Sequence, residues 1–141
     1  MPTDTQVRSG AVFAMTLSVV LAACAATHEQ ALDVHEFGSA DRSEARTSHD
    51  FPVATIRDPQ LIALAAKFIT ERRDGWSTPW AGAPIAPLAL EFYQGSRRLG
   101  GYGIASDFLT SDPRTLAFLS RRASSDEIAQ LLRQLGLHLP N

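Results

Sequence analysis

Leu88-Ala89-Leu90-Glu91-Phe92-Tyr93-Gln94-Gly95-Ser96-Arg97-Arg98-Leu99-Gly100-Gly101-Tyr102-Gly103-Ile104-Ala105 is the stretch whose reading decides the fold. Leu88, Leu90 and Phe92 alternate with Ala89, Glu91 and Tyr93. That period of two is the mark of a strand with one buried face. Gly95-Ser96 is a two-residue hairpin connection, and the return strand runs from Arg97 to about Ala105. Gly100, Gly101 and Gly103 within it point to a bulge or to atoms packing close against the backbone. A lone hairpin is marginal in water, so more strands or a helix must cover its apolar face.

The flanking segments supply them. Downstream, a loop through Asp107 and Asp112-Pro113 leads to a third strand, about Thr115 to Arg121. Ser124-Ser125-Asp126-Glu127 reads as a capping box, with Ser124 as N-cap. The helix it opens carries Ile128, Leu131, Leu132 and Leu135 on one face and stops at Gly136, and Leu137 and Leu139 form a packed tail. Upstream, Val53-Ala54-Thr55-Ile56 reads as a strand. Asp58-Pro59 then places an N-cap and a first-turn proline. Leu61, Ile62, Leu64, Ala65, Phe68 and Ile69 keep helical spacing up to a stop at Gly75. Between helix and hairpin, Pro79, Pro84 and Pro87 exclude regular structure from residues 76–87. The resulting order is β-α-β-β-β-α. Sequential strands with short connections favour an antiparallel meander. Two amphipathic helices on one face make a small two-layer α+β sandwich.

Residues 51–141 are assigned to this single domain. Residues 24–50 are small, polar and charged, with only Leu32, Val34 and Phe37 large and apolar. Such a segment reads as a flexible tether, because it buries too little to offset its chain entropy. The chain of 141 residues holds 13 Lys and Arg against 15 Asp and Glu, a net charge of −2. That balance offers no footprint for nucleic acid. Twelve of the 13 basic residues are Arg, a bias that reads as coding composition before function.

Residues 1–23 have the layout of a secretory signal: Arg8 near the amine, then an apolar run from Ala11 to Ala23. The run is too short to span a bilayer, which takes about 20 residues. It ends in Leu21-Ala22-Ala23-Cys24, and Cys24 is the chain's single cysteine. This tetrapeptide resembles the lipobox of bacterial lipoproteins. The resemblance covers residues 1–24 alone. It implies a diacylglyceryl group on the Cys24 sulfur, cleavage before Cys24 and N-acylation of the new terminus, with acyl chains such as palmitate as the anchor. Ala25, where such proteins carry Asp in other cases, implies sorting to the outer membrane, facing the periplasm. Lipidation consumes the only thiol, so the domain holds no internal disulfide and depends on packing.

Four residues are candidates for contact with a ligand or partner. Trp76 and Trp80 stand in the Pro-rich loop, where they form either a stacking platform or a lid on the core. Arg97 and Arg98 follow the hairpin turn, and a guanidinium fork suits an anionic partner. Arg121-Arg122, at another strand end, is a second pair that a meander can bring near them. Adjacent strand residues point to opposite faces, so one of each pair at most joins a shared patch. Of the two tryptophans, Trp76 is expected to be the buried one because it lies just past the helix.

Catalytic and metal chemistry find no support. His28, His35, His49 and His138 lack ligand spacing on a regular element. Ser120, Ser124 and Ser125 stand in no G-x-S-x-G elbow. Glu91 and Asp107 are carboxylates without an evident partner. Gly100-Gly101-Tyr102-Gly103 opens no helix and matches no phosphate cradle. The expectation is a non-catalytic envelope lipoprotein, without metal or cofactor, that binds a protein or peptidoglycan. The alternative is a periplasmic inhibitor or immunity-type protein that plugs a hydrolase. Its wedge is the 76–87 loop together with the Gly95-Ser96 hairpin.

Overall fold

The structure, a computed structural model, describes residues 32–82, 84–115 and 118–141. A single 3-10 turn at Phe37–Ser39 precedes β1 (Arg42–Thr47), β2 (Pro52–Ile56), α1 (Pro59–Thr70), β3 (Leu88–Gln94), β4 (Arg97–Ile104), β5 (Phe108–Thr110), β6 (Ser120–Arg122) and α2 (Ser125–Leu135). The strands form one sheet in the order β2-β1-β3-β4-β5-β6, with every neighbouring pair antiparallel. Both helices cover one face, so the fold is a two-layer α+β sandwich. β3 through β6 form the expected meander.

Leu88, Leu90 and Phe92 of β3, Tyr102 and Ile104 of β4 and Leu109 of β5 are completely buried under the helices. Ile62, Ala65, Ala66, Phe68 and Ile69 of α1 meet them, joined by Ile128, Leu131, Leu132 and Leu135 of α2. The Tyr102 hydroxyl donates to the Ala65 carbonyl at 2.9 Å, which satisfies the one polar group of that ring. Asp58 caps α1 by accepting the Gln60 N–H at 2.8 Å, and Gly136 ends α2 in the left-handed conformation.

The largest departure from the sequence reading is at the N-terminal side. Residues 32–50 are no tether. Leu32, Val34 and Phe37 lie in the core, and the Phe37 ring stacks on Phe92 at 4.5 Å. β1 lies between β2 and β3, pairing with both. The physical reason is its composition. Ser43 and Ala45 are its two core-facing residues, set opposite Phe92 and Leu90. Both are small, so the strand fills a tight place beneath the helices without an apolar signature. Charged residues hold the other face, and the alternation passes for a solvated segment.

Four smaller corrections follow. The order has two more strands than β-α-β-β-β-α. The strand expected at about Thr115 to Arg121 corresponds to β6, which begins only at Ser120, and the stretch expected to be a loop holds β5 between Asp107 and Asp112, because three residues carry no readable period. α1 stops at Thr70, ahead of Gly75. There Arg72 folds back, donating to the Phe68 carbonyl at 2.8 Å and covering the Phe68 ring. Ser124 occupies the N-cap position of α2 without a side-chain cap bond, and Glu127 pairs instead with Arg72 at 3.1 Å.

Candidate functional site

The same pleat that buries Leu88, Leu90 and Phe92 turns Ala89, Glu91 and Tyr93 to the helix-free face. Cross-strand register adds Arg42, Glu44 and Arg46 of β1 and Gly101 and Gly103 of β4. Glu44 stands directly opposite Glu91. Two carboxylates facing each other repel, and guanidinium groups surround both. Arg42 and Arg46 donate to Glu44 at 3.0 and 3.1 Å. Glu91, 2% exposed, accepts from Arg98 at 3.2 Å, from Arg114 at 2.5 and 3.4 Å and from the Tyr93 hydroxyl at 2.7 Å. Both of its oxygens are therefore occupied. Arg98 also makes a two-pronged contact with Asp112, 2.7 Å at each prong.

Backbone shape holds this network. Gly101 lies opposite Glu91. A Cβ there would stand 2.5 Å from the Leu90 carbonyl oxygen, so only glycine lets β4 lie this close to β3, and the Arg98 guanidinium crosses 3.4 Å from that position. At Gly103 a Cβ would collide with Thr110 and Ala86. The sequence expectation of a bulge or close approach holds on both counts, since β3 and β4 slip register between Phe92 and Tyr93. Asp50 takes the left-handed conformation at φ 65°. From there its carboxylate receives Arg46 at 2.7 Å and Arg114 at 3.0 Å.

Electrostatics follow the geometry. Burial lowers the Arg98 pKa, but hydrogen bonds and charge from Asp112 and Glu91 outweigh it and the net shift is upward. The Tyr93 hydroxyl is pushed up by burial and by its bond to Glu91, so it stays protonated and keeps donating.

Beside this network lies a cleft of about 450 Å³. Ala89, Glu91, Gly103 and Thr110 contribute from the strands, and Arg46, Asp50 and Arg114 supply charge. Two loops wall it with Pro84, Ile85 and Ala86, and with Pro113, Phe118 and Leu119. Ile85 and Phe118 are exposed, which is unusual for large apolar side chains in this fold. The arrangement suits a neutral ligand with an apolar part: the charges already balance one another, and the walls are greasy.

The sequence candidates are scattered by the fold. Trp76 is fully buried, and its ring N–H donates to the Arg72 carbonyl at 2.6 Å, so it belongs to the core as expected. Trp80 is 98% exposed. Arg97 is exposed and pairs with Glu36 at 3.6 Å, whereas Arg98 sits in the ionic network. The 76–87 loop enters β3 at Leu88 and the Gly95-Ser96 turn leaves its far end, about 20 Å away at strand rise. Loop and hairpin therefore form no common surface. Arg121 and Arg122 also stay apart from Arg97 and Arg98: β6 pairs with β5, and β5 with the Gly103–Ile104 end of β4. Arg121 donates to the Asp74 carbonyl and Arg122 to Asp107. Cys24 lies outside the described residues.

Arg114, Asp112, Glu44, Arg46 and Asp50 are site residues that sequence reading misses. One signal was present: Glu91 is the only residue charged at neutral pH from Gly75 to Ser96. A lone carboxylate inside a half-buried strand must find cations elsewhere in the chain. Among the described residues no group of three His, Cys, Asp or Glu is placed to hold a metal ion, and no helix is long and apolar enough to cross a membrane. No protein-family model, curated protein or solved structure matches the chain.

Proposed function

We propose that this protein is a lipid-anchored lipoprotein of the bacterial envelope, held at Cys24 in the outer membrane facing the periplasm, that binds a protein or a peptidoglycan component in the cleft on its helix-free face. The observation that carries the binding role is the state of Glu91. Its carboxylate is buried and accepts from three partners, so it is committed to holding the site together and has no oxygen left to take a proton from a substrate. General acid–base work requires a group within reach of the reacting proton. Exposed Ile85 and Phe118 beside a charge-balanced floor are features of a recognition surface. The anchoring role rests on Leu21-Ala22-Ala23-Cys24 after its apolar run.

A photo-crosslinking residue in place of Ile85 tests the cleft in living cells. The expected product is a discrete adduct with a peptidoglycan fragment or one envelope protein, absent from a control labelled at exposed Gln60 on α1. An adduct with a hydrolase whose activity falls on binding would convert the reading to an inhibitor. Equal labelling at positions 85 and 60 would remove the cleft from consideration. The anchor is tested separately: Cys24→Ser should leave an uncleaved precursor, and a mature-sized protein still entering the detergent phase would exclude Cys24 as the lipid site.

A further inference from the structure

We propose that the loop carrying Trp80 seats this domain on the surface of the lipid bilayer, a contact that rests on the reading of Cys24 as the lipid-bearing residue. Trp80 is the most exposed large apolar side chain among the described residues, at 98%, and Ile85 of the same loop follows at 79%. No ionisable residue stands between Asp74 and Glu91, so nothing charged must be drawn out of water when the loop meets lipid. Tryptophan favours that zone, because its ring is apolar and its N–H keeps a partner among the headgroups.

Chain length then decides where the loop can be. The N-terminal segment enters the described fold at Leu32, whose N–H donates to the Arg73 carbonyl at 3.3 Å. Arg73 and Trp80 are a short stretch of chain apart, at most about 25 Å even when fully extended. Cys24 and Leu32 are likewise separated by at most about 28 Å, whatever conformation lies between them. A fold of this size has a radius of gyration of about 13 Å. The anchor therefore cannot hold the domain off the bilayer by much more than its own width. The Trp80 loop, at most about 25 Å of chain from the point where the anchor segment enters the fold, stays within reach of lipid. Contact is then intramolecular, and a weak affinity for the interface is enough to keep it populated. Ile85, further along the loop, walls the cleft, so Trp80 makes the lipid contact and Ile85 stays with the cleft.

The test uses the acylated protein purified from envelopes and reconstituted in phosphatidylethanolamine–phosphatidylglycerol vesicles, with and without brominated acyl chains. Trp76 is buried, so subtracting the spectrum of Trp80→Phe isolates the Trp80 emission. The expected result is emission shifted to shorter wavelength, quenched by the brominated lipid and shielded from acrylamide. Trp80 emission that ignores the bromines and stays open to acrylamide would overturn the seat, as would a shift produced only by added peptidoglycan fragments or a protein partner. Mass analysis of the N-terminal peptide reads Cys24 acylation independently. An unacylated Cys24 would remove the anchor and the seat together, whereas an acylated Cys24 with a bromine-blind Trp80 would remove the seat alone.

Discussion

The two faces of the sheet are held by opposite means. Beneath the helices, Leu88, Leu90, Phe92, Tyr102 and Ile104 pack without a charge among them. On the other side of the same strands, Glu44 faces Glu91 and four arginines keep the two from repelling. The covered face gains its stability by removing apolar area from water, at about 25 cal/mol per Å². The helix-free face gains little net energy from its ion pairs, since desolvation offsets attraction, but it loses heavily when one partner is taken away. The first is tolerant and non-directional. The second is geometrically strict, which is what a recognition surface needs.

The strongest way to break this comparison is to remove the strand that serves both faces. A chain beginning at Asp50 lacks β1 and the core residues Leu32, Val34 and Phe37. It should show no cooperative urea transition, while a chain beginning at Ala25 unfolds in a single step. Cooperative unfolding of the shorter chain would show that β1 is dispensable. Next come single residues, one from each side. Trp76→Ala should cost about 3–5 kcal/mol as a core deletion, against a change within about 0.5 kcal/mol for the exposed Trp80→Ala. Equal losses in chemical denaturation would contradict the burial of one and the exposure of the other.

On the ionic face, Glu91→Ala leaves Arg98 to Asp112 and Arg114 to Asp50 but removes the carboxylate that joins them and the acceptor of the Tyr93 hydroxyl, and should cost about 1–3 kcal/mol. Glu91→Gln keeps the shape and some of the hydrogen bonds and should cost less. If Glu91→Ala were as mild as a surface change, the network would be ornamental. Alkaline pH sharpens the contrast further. Burial raises the Tyr102 pKa above its ordinary value of 10.0, and burial with the Glu91 bond raises that of Tyr93. The fold therefore holds both protons more tightly than the unfolded chain does. Their contribution is fully present below about pH 10 and is lost as pH rises from there through the folded values, by up to about 1.4 kcal/mol per pH unit for each group. Tyr102→Phe should flatten that decline in denaturation curves taken between pH 9 and 11; an unchanged slope would exclude Tyr102 as a source. The smallest effect is expected at Ser43. Its hydroxyl is buried on the core side without a hydrogen-bond partner. Ser43→Ala should leave stability unchanged or raise it slightly, because no bond is lost and a desolvated oxygen is removed.

The comparison also explains which parts of the molecule are legible in its sequence. The covered face is readable because its residues are large and periodic: β3, β4, α1 and α2 appear from Leu88, Leu90, Phe92 and from the spacing of Ile62, Phe68, Ile128 and Leu131. β1 escapes because Ser43 and Ala45 do the packing and Arg42, Glu44 and Arg46 do the pairing. Neither half of that alternation contains a large apolar residue. The site is harder still. Its partners Glu91, Arg98, Asp112 and Arg114 are joined by tertiary folding alone, and no local spacing relates them. Trp76 and Trp80 separate correctly into buried and exposed, because one follows a helix end directly and the other lies beyond Pro79.

The position of β1 has a further consequence in time. Its inner edge pairs with β3, Thr47 opposite Leu88, roughly forty residues further along the chain, and such distant pairings slow folding. A polypeptide made or exported N-terminus first can close the β1–β2 hairpin early. It must then carry an unpaired strand edge, with Phe37 lacking its Phe92 neighbour, until the second half of the chain arrives. The open edge of β1 is available to any factor that binds strand edges during that interval, until β3 closes the seam against it.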